Sequence, residues 1–146
     1  MFPLRAALDR NVHVGLGSDV SGGHSPSILD GCRHALSAAR MREGGVDPSL
    51  AVAERGVANS AIGVADAFWL ATAGGGEALG LPIGKFESGY KFDALLIDLD
   101  APGSNVRYWP TLDGLEDVFQ KIVLNANRTN VVRTWVDGEL VYAAPE

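Results

Sequence analysis

The sequence predicts an α/β chain, and three observations carry that prediction. A short apolar, β-prone run (Val12, Val14, Leu16) stops abruptly at Gly17-Ser18-Asp19. An amphipathic helix pattern follows the glycine- and serine-rich loop directly. Further on, the texture changes to short strands punctuated by glycine, with one late helix among them.

In chain order, residues 3 to 10 (PLRAALDR) read as the end of a short helix with Pro3 in its first turn. Asn11 breaks that pattern, and residues 12 to 16 read as a parallel strand covered on both faces. After the loop, Pro26-Ser27 opens a helix with an apolar stripe at Ile28, Leu29, Cys32, Ala35, Leu36 and Ala39. Gly44-Gly45 ends it. Asp47-Pro48 starts a second helical stretch, interrupted near Gly56 and Gly63. A third helix runs from Ala65 to Thr72, and a short fourth from Glu77 to Leu79 stops at Gly80. FDALLIDLD (92 to 100) reads as a strand and DGLEDVFQKIVL (113 to 124) as an amphipathic helix. VVRTWVDGELVY (131 to 142) reads as a hairpin around Asp137-Gly138, a favoured two-residue turn.

The 146 residues suit one ordinary domain. With 47% hydrophobic and 21% charged residues, the composition is that of a soluble globular protein. No segment approaches the roughly 18 uninterrupted apolar residues of a membrane span. Arg5, Asp9 and Arg10 break up the start, so nothing there reads as a secretory signal. Cys32, the single cysteine, excludes an internal disulfide and a multi-cysteine zinc site. A cytoplasmic setting is expected, which makes the Asn127-Arg128-Thr129 sequon a chance match. At a net charge of −6, with basic residues scattered, the chain lacks the clustered positive field of a nucleic-acid binder. A small uncharged ligand is easier to accommodate.

The loop after residue 16 poses a choice of chemistry. A dinucleotide fingerprint needs a third glycine where Val20 stands, and Asp19 would face the pyrophosphate. Gly84-Lys85 precedes Phe86 rather than Ser or Thr, so it is no P-loop, and Gly74-Gly75-Gly76 has no lysine beside it. A carboxylate at the carboxyl end of a parallel strand can instead hold a metal, as βα-loops do in barrels. Buried there, it needs a cation, strong donors or a proton. The competing reading is that Asp19 merely caps the following turn. His13, His24 and His34 form no H-x-H or H-E-x-x-H pair, and Cys32 and His34 point apart on their helix. One carboxylate cannot hold a catalytic zinc by itself. Ser18, Ser21 and Ser25 sit in no nucleophile arrangement. Glu116 and Asp117 read as first-turn acids that complement a helix dipole. Phe68, Trp69, Leu70, Trp135 and Val136 read as core.

VGLGSDVSGG with SPSILDGCRHAL resembles the last barrel strand and loop of the guanine deaminases, within the amidohydrolase superfamily. AFWLATAGGGEALGL with IGKFESGYKFDALLID is similar to the segment leaving the barrel for a small β-sandwich. DVFQKIVLNANRTNVVRTWVDGELVY resembles the family's closing helix and last hairpin. The resemblance covers essentially the whole chain. It implies the C-terminal part of a (β/α)8 TIM-type barrel over residues 1–80, and a segment contributing β-sandwich strands and a late helix over 81–146.

The same resemblance makes Asp19 the metal-binding and catalytic aspartate after the eighth strand, sharing one zinc ion with ligands outside this chain. The implied reaction hydrolyses guanine to xanthine and ammonia. The family's H-x-H pair, further histidines, catalytic glutamate and purine-gripping residues would all lie upstream, so this chain is expected to be a fragment without activity of its own. The purine is the expected small-molecule partner, with no nucleic acid and no membrane, and the full-length enzyme is expected to be a homodimer. Another amidohydrolase (a chlorohydrolase, or a cytosine- or adenosine-type deaminase) and a non-catalytic fragment or assembly module are the alternatives.

Overall fold

A computed structural model describes residues 1–145. It holds five α-helices: α1 (Leu4–Leu8), α2 (Ile28–Gly44), α3 (Val64–Ala71), α4 (Ala73–Leu79) and α5 (Leu115–Asn125). Three strands, β1 (Ala94–Ile97), β2 (Val131–Val136) and β3 (Glu139–Ala143), form an antiparallel sheet in that order. The architecture is therefore mixed helix and sheet.

The core is helical. Cys32, Leu36 and Ala39 on α2 meet Ala67 and Leu70 on α3, Val123 on α5, and Ile62. This is the buried stripe that the apolar spacing of residues 28–39 predicts. The entries of α3 and α5 are each fixed by a local acid: Gly63 N–H donates to Asp66 (2.9 Å), and Gly114 N–H donates to Asp117 (2.9 Å). Asp66 also pairs with Arg5 at 2.7 Å, tying α1 to α3. Of the aromatic and aliphatic residues expected in the core, Leu70 is fully buried and Trp69 packs against the core. Phe68 lies edge-on to Phe119 and is partly exposed, while Val136 is half exposed.

The β2–β3 hairpin turns through Asp137 (φ 52°) and Gly138 (φ 83°), the left-handed pair that a tight hairpin demands. At its other end, the fully buried Asn130 donates to Asp98 O (2.7 Å) and Ser104 Oγ (2.8 Å) and accepts from Asn127 N (2.9 Å). That side chain welds the end of β1 and the loop after it to the start of β2. The sequon residue Asn127 serves the same junction, accepting from Thr129 N at 2.8 Å.

Three expectations are corrected. Residues 12–16 form no strand; they run extended, with Val12 half exposed. A parallel strand exists only through neighbours on its edges, and the described residues offer none. The stretch after Asp47-Pro48 is no α-helix: Asp47 accepts from Ser49 N (2.9 Å) in a local turn, and one 3-10 turn (Val52–Glu54) follows. Conversely, α4 starts four residues earlier than expected and runs straight through Gly74-Gly75-Gly76, ending at Gly80 in a left-handed cap (φ 67°).

Candidate functional site

Asp19 is positioned from both sides. Upstream, Leu16 N donates to Leu70 O at 3.0 Å, so α3 holds the entering backbone. Gly15 lies so close to α4 that a Cβ on it would stand 2.8 Å from the Gly75 Cα, which only a glycine permits. Val14 and Leu16 turn toward the helical core.

The loop then reverses sharply. Asp19 itself adopts a left-handed backbone (φ 47°), and its carbonyl accepts a hydrogen bond from Gly23 N–H. A Cβ on Gly23 would lie 1.9 Å from the Ser18 carbonyl oxygen, so the reversal has no room for any side chain there. The Asp19 carboxylate stands over Gly22, where a Cβ would come within 2.9 Å of Oδ2.

Downstream, the loop is fastened to α2. Ser25 Oγ donates to Asp30 Oδ2 at 2.6 Å, and Ser27 N donates back to Ser25 Oγ at 3.1 Å. The His24 and His34 rings lie 3.9 Å apart at a 41° tilt. Asp30 Oδ1 pairs with Arg33 (2.5 Å), whose Nε and Nη2 donate to Val123 O (3.0 Å) and Ala126 O (2.5 Å) at the C-terminus of α5. The Ser25 hydrogen bond, and behind it the charge of Arg33, hold the Asp30 carboxyl below the usual carboxylate range, against the opposing effect of desolvation.

Asp19 is exposed rather than buried, because no neighbouring strand among the described residues covers it. Its carboxylate accepts no hydrogen bond and joins no ion pair among them, so the turn it sits in does not consume its oxygens. It thus fits the role of one oxygen ligand. Among the described residues no group of three or more His, Cys, Asp or Glu is placed to hold a metal ion. Cys32 is fully buried, its thiol donating to Ala67 O (3.4 Å) and pushed up in pKa by that burial. His13 is exposed. A groove of about 230 Å³ between α1, residues 14–16 and α2 is lined by Met1, Phe2, Val14 and Ala35, with Arg42 its one charged side chain. No helix among the described residues is long and apolar enough to cross a membrane.

Sequence reasoning singled out Asp19 and missed the Ser25–Asp30–Arg33 chain behind it. The i, i+3 spacing of Asp30 and Arg33 on a helix was the available signal. That Arg33 reaches α5, some ninety positions along the chain, had none.

The chain is 34% identical over 141 residues to a probable guanine deaminase of Schizosaccharomyces pombe, covering 94% of this chain and 25% of that protein. It is also 34% identical to the guanine deaminase of Homo sapiens, covering 92% of this chain and 28% of that one. Among solved structures, it matches a C. acetobutylicum guanine deaminase with guanine bound in its active site, at a TM-score of 0.71 and 26% identity over 97% of this chain and 30% of that one. The E. coli guanine deaminase gives a TM-score of 0.72 at 26% identity, over 99% of this chain and 31% of that one. The chain therefore spans under a third of the length of these relatives. The Amidohydrolase family matches residues 1–141, nearly the whole sequence, and the chain belongs to that family.

Proposed function

We propose that this chain is the C-terminal segment of a zinc-dependent guanine deaminase of the cytoplasm, and that Asp19 is its metal-binding and catalytic aspartate. In this reading, residues 1–80 complete a (β/α)8 barrel and residues 81–146 add strands to a small β-sandwich. The complete enzyme acts as a homodimer. The observation that carries the reading is the alignment with guanine deaminases along the whole chain, joined to an Asp19 carboxylate whose oxygens are uncommitted.

Asp19 would be one of the residues holding a zinc ion there, and the chemistry that ion would supply is a water with its pKa lowered toward neutrality. The task of Asp19 itself would be proton transfer: its carboxylate accepts a proton from water as oxygen adds to the ring carbon bearing the amino group and the ring C=N π pair moves onto nitrogen. It then returns that proton to the departing nitrogen. The C–N bond breaks, ammonia leaves, and guanine becomes xanthine.

Since the remaining ligands and the purine contacts are expected upstream, the 146 residues alone release no ammonia from guanine. The test compares this chain with the reading frame extended upstream, each assayed for ammonia with and without a chelator. The extended protein is active and chelator-sensitive, and Asp19→Asn lowers its kcat by about 10²- to 10⁴-fold. An upstream frame encoding no H-x-H, or an Asp19→Asn protein with unaltered kcat, ends this reading.

A further inference from the structure

We infer that Ser25, Asp30 and Arg33 are positioning residues for the Asp19 loop, and that through them the C-terminal end of α5 sets where the Asp19 carboxylate lies. This deepens the proposed function and rests on it for its catalytic consequence.

The loop from Gly17 to Ser27 contains three glycines and four serines, so its own chain gives it little stiffness. Its internal backbone bond, Gly23 N–H to Asp19 O, closes the reversal but leaves the reversal free to swing as a unit. What stops the swing lies outside the loop. Upstream it is Leu16 on Leu70 O. Downstream it is Ser25 Oγ on Asp30, two residues past the reversal, beside the His24–His34 ring contact.

Asp30 is a firm anchor only if it is itself held. Its second oxygen meets Arg33, and the rest of that guanidinium is spent on the carbonyls of Val123 and Ala126. Those carbonyls belong to the last turn of α5, where a helix leaves acceptors unpaired and carries partial negative charge. Val123 and Ala126 are both buried, which fixes the acceptors in place. Arginine suits the post for a geometric reason. Its planar fork serves three acceptors from one rigid group, which a lysine cannot do. The result is a continuous run of charge-assisted hydrogen bonds from α5 to the loop.

The experiment uses the complete polypeptide carrying this sequence, with Ser25→Ala as the primary variant, because removing one hydroxyl from a loop leaves the core untouched. Ser25→Thr keeps the hydroxyl, and Arg33→Lys keeps the charge but loses the fork. Three quantities are read: amide hydrogen exchange over residues 19–27, the rate of zinc loss to a chelator, and kcat and KM for guanine. In Ser25→Ala and Arg33→Lys, exchange over 19–27 rises about fivefold to tenfold while α3 amides are unchanged. Zinc loss quickens, and kcat falls about tenfold or more with KM within twofold. Ser25→Thr restores all three.

Unchanged exchange over 19–27 in Ser25→Ala overturns the inference, as does a kcat loss that Ser25→Thr fails to rescue. Should the unaltered protein hold no zinc and release no ammonia while exchange still rises in Ser25→Ala, the tether stands and the deaminase reading alone is lost.

Discussion

Asp30 carries a pH dependence whose sign follows from its partners. The Ser25 hydroxyl, opposed by desolvation and assisted by Arg33, lowers its carboxyl pKa in the fold. In the unfolded chain the same group titrates near about 3.9. The fold therefore gains from Asp30 at every pH above that value, and loses the gain as pH falls through the lower folded value. Acid unfolding followed by circular dichroism checks it: the stability gap between the native chain and Asp30→Asn stays constant from neutrality to about pH 4 and closes below. A gap that persists to the acid limit would show the carboxylate to be irrelevant. At this scale the sequence was legible where one residue suffices. Asp19 stands out as a carboxylate among glycines, and Asp137-Gly138 dictates its turn alone. Asn130 was not legible, since its three partners are distant in sequence or are backbone.

Among the elements, α2 and α5 could be read from the sequence because each buries one stripe, and the stripe is written in apolar spacing. Residues 12–16 misled because their composition is β-prone, yet no ladder partner stands beside them among the described residues. The α4 helix was underestimated for the opposite reason. Three glycines argue against a helix by propensity, yet a Cβ at Gly76 would lie 2.4 Å from the Ile83 carbonyl oxygen, so tertiary closeness demands the poor helix former. The α2–α3 contact offers its own probe in Cys32. Its thiol has no exposure, bonds to Ala67 O, and is pushed up in pKa by burial, so little thiolate forms while the helices stay docked. Alkylation by a small thiol reagent at neutral pH is expected only on unfolding, its rate tracking denaturant. Leu70→Ala, which empties a fully buried site and costs about 3 kcal/mol, should speed it strongly. Immediate labelling of the native chain would mean that α2 and α3 are not docked.

For the molecule as a whole, surface area decides the argument. The described chain exposes 9775 Å² at a mass of 15.4 kDa. A compact monomer of that mass exposes about 7,200 Å², leaving an excess of about 2,600 Å². A standard protein interface removes roughly 800 Å² from each partner, so the excess amounts to about three such faces. Apolar residues contribute to it: Phe86 is 80% exposed, Leu112 79% and Leu115 90%, and every residue of β3, with Leu140 and Val141 among them, is exposed. The three-stranded sheet also leaves the outer edges of β1 and β3 without strand partners among the described residues. Apolar surface and open edges on this scale drive association. The 146 residues on their own should therefore elute well ahead of a 15.4 kDa monomer in size-exclusion chromatography with light scattering, and should bind a hydrophobic dye. In the reading frame extended upstream, dye binding per molecule should drop, because the added chain covers those faces. A monodisperse 15.4 kDa species without dye binding would show that these residues close their surface unaided, and would remove the physical reason for regarding them as part of a larger fold.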